Sequence, residues 1–237
     1  MTELKRSSEK FNYFIQHYWE YFLELESEFI STKKYVDFNP DNYSTYSVEY
    51  LKLFQAVCSE IDVVGKMMAS YCNPSFKATD KNNTLFKWWY EIQNNYHLVE
   101  SHFTPINPNP KPSIFSMQEY KCIILGKMWF APWDAFFVVK NGKYKLDNES
   151  KDLQWWKDYN SVKHQRELLD VRDSNYKLAN LKNVMFAFSA LYVLEKSFMD
   201  SVGDVDDLQA FADFSKLFVK RRSYTYKEMD MLFHEEL

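Results

Sequence analysis

A segment in the C-terminal half of the chain combines residue types that can transfer a proton beside an anion. If residues 155–166 form a helix, steps of four place Trp156, Asn160 and His164 on one stripe. Cations lie next to that stripe at Lys157, Lys163 and Arg166. An imidazole can accept or donate a proton near neutral pH, and a cation can neutralise a phosphorane. The segment therefore carries both groups that RNA self-cleavage requires.

Two interpretations of this segment remain open. In the catalytic one, His164 is the general base or acid and Asn160 positions it. Lys163 or Arg166 then neutralises the phosphate, and Arg166 suits this role better because its guanidinium can bind two phosphate oxygens. We therefore expect Arg166 to point toward the His164 cleft, in the same protomer or across a two-fold axis. His164 and Asn160 should lie within hydrogen-bonding reach of each other or of one shared water. In the structural interpretation, Asn160 and His164 only satisfy each other and a neighbouring loop.

The pattern Tyr159-Asn160-x-x-x-His164 resembles the R-[N/D/H]-x-x-x-H signature of HEPN (higher eukaryotes and prokaryotes nucleotide-binding) domains. The resemblance implies an antiparallel helical bundle in which His164 is the motif histidine and Asn160 the polar second position. It also implies a metal-independent ribonuclease of bacterial stress or phage defence, often in a toxin–antitoxin system, with two motifs facing each other in a homodimer. Tyr159 replaces the motif arginine and brings no cation, because a phenol is neutral at pH 7. Some members keep the fold without activity, so the alternative is a non-catalytic module that binds a protein partner.

Asp62 is a supporting candidate. It falls at the edge of the apolar face of a predicted helix, where a carboxylate requires a partner. Two partners are available to it. It could form a local ion pair with Lys66, four residues along the helix. It could instead reach the motif segment and orient His164, as an acid orients a catalytic imidazole.

A basic run near the C terminus is interleaved with aromatic residues. Cations that bind phosphates and rings that stack on bases suit single-stranded RNA. The predicted RNA-binding residues are Lys220, Arg221, Arg222 and Tyr224. The alternative is a solvated helix end without a ligand.

No metal or cofactor is predicted. His97 and His102 are five residues apart, so on a regular helix they face different sides and cannot chelate one ion. The sequence contains no P-loop, zinc signature, nucleophile elbow or dinucleotide fingerprint. A small-molecule sensor, in which the loop 129–133 lines an apolar pocket, is a third hypothesis.

Composition favours a mainly helical protein. The 237 residues include only 4 glycines, and 19% are aromatic. The net charge of −4 gives no global attraction to nucleic acid, so RNA binding would require a local basic patch. Three cysteines without a C-x-x-C pair, and no leader or long apolar span, predict a cytoplasmic protein outside the membrane.

The elements that must position the candidate site follow from apolar spacing. Steps of three and four predict helices over 8–31, 47–72, 84–101 and 176–201, packed around one core, with Ser47 as the N-cap of the second. Between the third and fourth of these helices, prolines exclude a further helix. Short strands are predicted at 120–125 and 135–139, and the Asn-Gly turn at 141–142 suggests a hairpin there. The predicted fold is mainly α, an antiparallel helical bundle with a small β-containing insertion. We divide it into a first half of the bundle (1–102), a Pro- and aromatic-rich insertion (103–151), and a second half with the motif and tail (152–237).

Overall fold

Helices dominate the part of the chain that the computed structural model describes, which confirms the predicted mainly α fold. The structure describes residues 9–92, 122–124, 128–140, 143–146, 153–166, 174–203 and 214–220. Helix α1 is one helical stretch made of residues 9–14, a π-helical turn Ile15–Trp19 and the α-helix Glu20–Ser31. The other helices are α2 (Val48–Cys72), α3 (85–92), α4 (Gln154–His164) and α5 (Leu181–Val202). None of the described helices is long and apolar enough to cross a membrane.

Two of the predicted helix starts can be compared with the caps that are observed. Ser47 caps α2 as predicted, since its hydroxyl accepts a hydrogen bond from the Tyr50 amide at 3.1 Å. Helix α5 begins later than predicted, because Asn175–Leu178 form a 3-10 turn instead of its first turn. Asn180 is the actual N-cap and accepts a hydrogen bond from the Asn183 amide at 3.0 Å.

Helices α2 and α5 run parallel to each other. At their starts, Tyr46 and Asn180 form an isolated β-bridge. Towards their ends, the rings of Tyr71 and Phe198 meet edge to face with centroids 5.3 Å apart. Both helices therefore begin at one end of the bundle and end at the other.

Helix α1 runs antiparallel to this pair. Its early residue Phe14 contacts Phe198, with ring centroids 4.7 Å apart, near the end of α5. Its late residue Phe29 stacks on Phe188 at 4.9 Å, close to the start of α5. These four rings are buried, so the three helices enclose one aromatic core.

A second group of buried rings joins α3 and α4 to this core. Trp88 lies against Gly65 of α2 so closely that a Cβ at Gly65 would be 2.6 Å from the indole. Trp89 stacks on Trp133 with centroids 4.4 Å apart. The Trp155 indole donates a hydrogen bond to the Pro132 carbonyl at 2.9 Å, which fixes the start of α4 against this group.

Five short strands complete the described chain. They are β1 (Cys122–Ile124), β2 (Met128–Phe130), β3 (Phe137–Lys140), β4 (Lys143–Leu146) and β5 (Phe218–Lys220). Strand β1 lies between β2 and β5 in an antiparallel sheet, and β3 pairs with β4. Strand β5 lies in the tail. The boundaries at 103 and 151 stay a prediction.

A buried carboxylate of α1 holds the chain that leads into β5. Glu26 is 1% exposed and accepts hydrogen bonds from the Lys216 amide at 2.9 Å and the Leu217 amide at 3.1 Å. The Ser215 hydroxyl donates a further hydrogen bond to it. These three donors satisfy a charge that would otherwise be costly to bury.

Candidate functional site

A cleft of about 620 Å³ opens between α2, the loop before α3, and α4. Five residues of the predicted segment line it from α4, namely Trp156, Tyr159, Asn160, Lys163 and His164. Asp62 and Lys66 line it from α2. The structure thus brings together seven residues that were named from the sequence, and we call this space the motif cleft.

Helix α4 presents the motif through its amphipathic spacing. Trp155, Tyr159 and Val162 are buried on one face and anchor the helix. The residues on the other side, Asn160 and His164, line the motif cleft together with Trp156, as the predicted stripe requires. Asp158 also accepts a hydrogen bond from the Asn183 side chain at 2.7 Å, which ties α4 to α5.

His164 is the last residue of α4, and its side chain is exposed. An exposed imidazole is accessible to a substrate, which a proton-transfer group requires. Asn160, one turn earlier, is partly buried. In the described part of the chain no hydrogen bond joins Asn160 to His164, so the predicted direct contact is not formed.

Tyr159, at the position of the motif arginine, is a core residue and not a ligand for phosphate. It is 4% exposed, and its ring contacts Phe54 of α2. Burial, with smaller contributions from nearby Cys58 and Asp62, raises the pKa of Tyr159 to about 12. The phenol therefore stays neutral across the physiological pH range.

Lys163 lies one helical turn after Tyr159, the residue at the position where the HEPN pattern has arginine. The ammonium of Lys163 lies 5.5 Å from the centroid of the Tyr159 ring, within the range of a cation–π interaction. This contact places a permanent charge at the motif cleft. In the described chain no carboxylate forms an ion pair with Lys163, so its charge is not neutralised there.

Asp62 has the local partner that one of the two interpretations predicts. Its carboxylate pairs with the Lys66 ammonium at 2.5 Å and accepts a hydrogen bond from the Trp88 indole at 3.3 Å. No hydrogen bond connects Asp62 to His164 among the residues described. The structure therefore supports a role for Asp62 in fixing Lys66 and α3, and not in orienting the imidazole.

Arg166 does not line the motif cleft of its own chain, and its predicted approach across a two-fold axis stays a prediction. The helix ends at His164, and the backbone of Gln165 leaves the helical conformation with φ −142° and ψ 53°. The helical spacing that would place Arg166 beside His164 therefore does not continue to it. Arg166 is exposed, and so is Lys157, which also lies outside the residues that line the cleft.

Several predicted residues lie outside the described part of the chain. Among the predicted RNA-binding residues these are Arg221, Arg222, Tyr224 and the side chain of Lys220. The same holds for His97 and His102. The loop 129–133 does not form the predicted apolar pocket at Trp133, because that indole is 0% exposed and packed in the aromatic core.

Lys81 and Asn83 are polar residues of the cleft that were not predicted from the sequence. Both belong to the loop that precedes α3, and both line the motif cleft. Local spacing could not relate them to His164, because only the packing of α3 on α2 brings the loop to α4. With Lys66 and Lys163, Lys81 makes lysine the main charged residue type of the cleft.

The described residues contain no group of three or more histidine, cysteine, aspartate or glutamate side chains that could hold a metal ion. The cleft is therefore best described as a site made of one imidazole, amides and lysines. Comparison with known proteins finds no family model, no curated protein and no solved structure that matches the chain.

Proposed function

We propose that the motif cleft binds the phosphodiester backbone of RNA and that His164 transfers protons in a metal-independent cleavage reaction. The observation that carries the proposal is the presence of the His164 imidazole in one cleft with three lysines, Lys66, Lys81 and Lys163. Among the described residues, Asp62 is the only acidic one that lines the same cleft, and it is paired with Lys66. The local charge therefore favours a polyanion even though the whole chain carries −4.

The proposed reaction uses groups that the cleft contains. The His164 imidazole takes the proton of a ribose 2′-hydroxyl, and the 2′-oxygen attacks the neighbouring phosphorus. The bond from phosphorus to the 5′-oxygen breaks, and the imidazolium returns a proton to that oxygen. The products are a 2′,3′-cyclic phosphate and a 5′-hydroxyl. Lysine ammonium groups stabilise the charge on the phosphorane, and Asn160 contributes an amide that can hydrogen-bond a phosphate or ribose oxygen.

The HEPN resemblance supports the biological part of this proposal. It suggests a bacterial stress or phage-defence ribonuclease, and a homodimer in which two motif clefts face each other. Cys58 and Cys72 are free and buried, which fits a reducing compartment such as the cytoplasm. Lys163 takes the role of the motif arginine in this proposal, in place of Arg166.

Cleavage of mixed RNA in the presence of EDTA tests the proposal. The wild-type protein should release fragments that end in 2′,3′-cyclic phosphate, and His164→Ala should release none. His17→Ala is a matched control, because His17 is exposed on α1 and its ring contacts that of Tyr13 at a tilted angle, outside the motif cleft. Equal cleavage by the wild type and His164→Ala would refute the catalytic role of His164.

A non-catalytic module that binds a protein partner is the second candidate. The observation that favours it is the burial of Tyr159, because the position of the motif arginine is then occupied by a residue of the core. RNA binding without cleavage, or the absence of both, together with capture of a specific protein partner that His164→Ala still binds, would support this candidate.

A further inference from the structure

A second concave surface lies between the start of α1 and the ends of α2 and α5. Its volume is about 360 Å³, a size typical of small-molecule sites. Aromatic rings form most of its lining, and we call it the aromatic groove. The rings are those of Tyr13, Phe14, Tyr18, Tyr71 and Phe198.

Four of these rings form a continuous series of contacts across three helices. Phe14 stacks on Tyr18 with centroids 5.1 Å apart. Phe14 also contacts Phe198 at 4.7 Å, and Phe198 meets Tyr71 edge to face at 5.3 Å. Each ring carries partial negative charge on its face, so a cluster of ring faces attracts a cation.

The groove already holds a cation of the protein itself. The Lys10 ammonium lies 4.8 Å from the centroid of the Tyr71 ring, although Lys10 is exposed at the start of α1. An exposed lysine on a flexible stem can leave this position at small cost. Lys10 thus marks a cation position on Tyr71 that a ligand can take.

Acidic groups lie behind the rings. Glu195 is 0% exposed on α5, one turn before Phe198, and neither of its carboxyl oxygens has a hydrogen-bond partner among the described residues. Burial raises the pKa of Tyr18, and nearby Tyr13, Glu60 and Glu195 act in the same direction, so these groups lie close to a ring that lines the groove. Burial also raises the pKa of Glu195 well above its ordinary value, which favours the neutral carboxyl, so the attraction for a cation comes from the ring faces.

We propose that the aromatic groove binds a small free organic cation, an alkylammonium or quaternary ammonium compound, on the ring faces of Tyr71 and Tyr18. Lys10 moves to solvent when the ligand binds. The rings of Phe14 and Phe198 cover the apolar part of the ligand. This site is separate from the motif cleft, since the residues that line the two sites do not overlap.

The test compares choline with 3,3-dimethyl-1-butanol, which has the same shape without the charge. Binding to the full chain is measured from the broadening of the ligand methyl signals in proton NMR spectra. We expect saturable choline binding and at least about tenfold weaker binding of the uncharged compound. Equal affinities would overturn the proposal, and so would the lack of saturable choline binding.

Matched variants identify the groove as the site. Tyr71→Phe keeps the ring and should bind choline like the wild type, whereas Tyr71→Leu keeps apolar volume and should bind about tenfold more weakly. Lys10→Gln should bind choline more tightly, because the competing ammonium is gone. Unchanged affinity in a folded Tyr71→Leu protein would overturn the assignment. Sedimentation with phosphatidylcholine vesicles but no binding of free choline would also overturn it, because the ligand would then be a membrane headgroup.

Discussion

The ammonium of Lys163 lies over the Tyr159 ring, 5.5 Å from its centroid. This contact links the core of the bundle to the motif cleft, because Tyr159 is buried and Lys163 lines the cleft. The aromatic residue at the position of the motif arginine brings no positive charge of its own to a phosphate. It provides a surface on which a neighbouring cation is held, one helical turn further along α4.

The first prediction compares Lys163 with Arg166. Lys163→Ala should weaken RNA binding about tenfold or more, since a hydrogen bond to a charged group contributes about 1.5–3 kcal/mol. It should also lower the slope of log affinity against log salt by about one. Arg166→Ala is the control and should leave both quantities unchanged, because Arg166 does not line the cleft. The reverse result would restore the original assignment to Arg166.

The second prediction concerns Asp62→Asn. The amide keeps an acceptor for the Trp88 indole but releases the Lys66 ammonium from its ion pair. RNA binding should become several times tighter, and stability should fall by only about 0.3–0.5 kcal/mol, as expected for a helical ion pair. Fluorescence anisotropy and a urea titration measure the two effects. A loss of cleavage in this variant at unchanged RNA affinity would mean that Asp62 does orient His164.

The third prediction is a pH dependence that comes from Glu195. Burial raises the pKa of Glu195 well above its ordinary value of 4.5, and the charge of Glu60 adds to the shift. Below pH 4.5 the carboxyl is protonated in both the folded and the unfolded chain, so its titration does not lower the free energy of unfolding there. As the pH rises, the unfolded chain releases the proton first, and the free energy of unfolding falls by up to about 1.4 kcal/mol per pH unit.

Glu195→Gln removes this loss, so its stability relative to the wild type should increase from pH 5 to pH 8 in urea titrations. Glu24→Gln serves as the control, because Glu24 is exposed on α1 and should show no such trend. A constant difference between Glu195→Gln and the wild type over this pH range would disprove the assignment.

The fourth prediction concerns the carboxylate that holds the segment before β5. Glu26→Ala leaves the amides of Lys216 and Leu217 without their acceptor. We expect a loss of about 3 kcal/mol in the free energy of unfolding, since buried donors without partners are costly. Hydrogen exchange at the amides of Lys216 and Leu217 should become faster than exchange at the other amides of the core. Glu24→Ala should change neither quantity, and equal effects of the two variants would contradict the role of Glu26.

Much of the helical fold is predictable from the sequence, because amphipathic spacing records which face of a helix is buried. Helix α2 follows the spacing over its whole length, and its Ser47 cap is a local signal. The start of α5 is not predictable in this way. It depends on Asn180 and on a hydrogen bond from the Leu181 amide to the Thr45 carbonyl, which tertiary packing brings into reach.

The same distinction applies to the motif cleft. Asn160, Lys163 and His164 are predictable because they share one helix and one face. Lys81 reaches the cleft only through the packing of α3, and local spacing carries no information about it. Arg166 is absent from the cleft of its own chain for a local reason, since the helix ends two residues before it.

The most direct test of the proposed function is an NMR titration of the histidine rings with RNA. The chain has only 5 histidines, so a spectrum of ring-labelled protein is simple, and His164→Gln identifies the His164 signal. The ligand is an RNA with 2′-deoxy substitutions that prevent cleavage. We predict a saturable shift of the His164 signal and none at His17, which lies outside the motif cleft. RNA binding that leaves the His164 signal unchanged, or no binding at all, would contradict the proposal that this cleft acts on RNA.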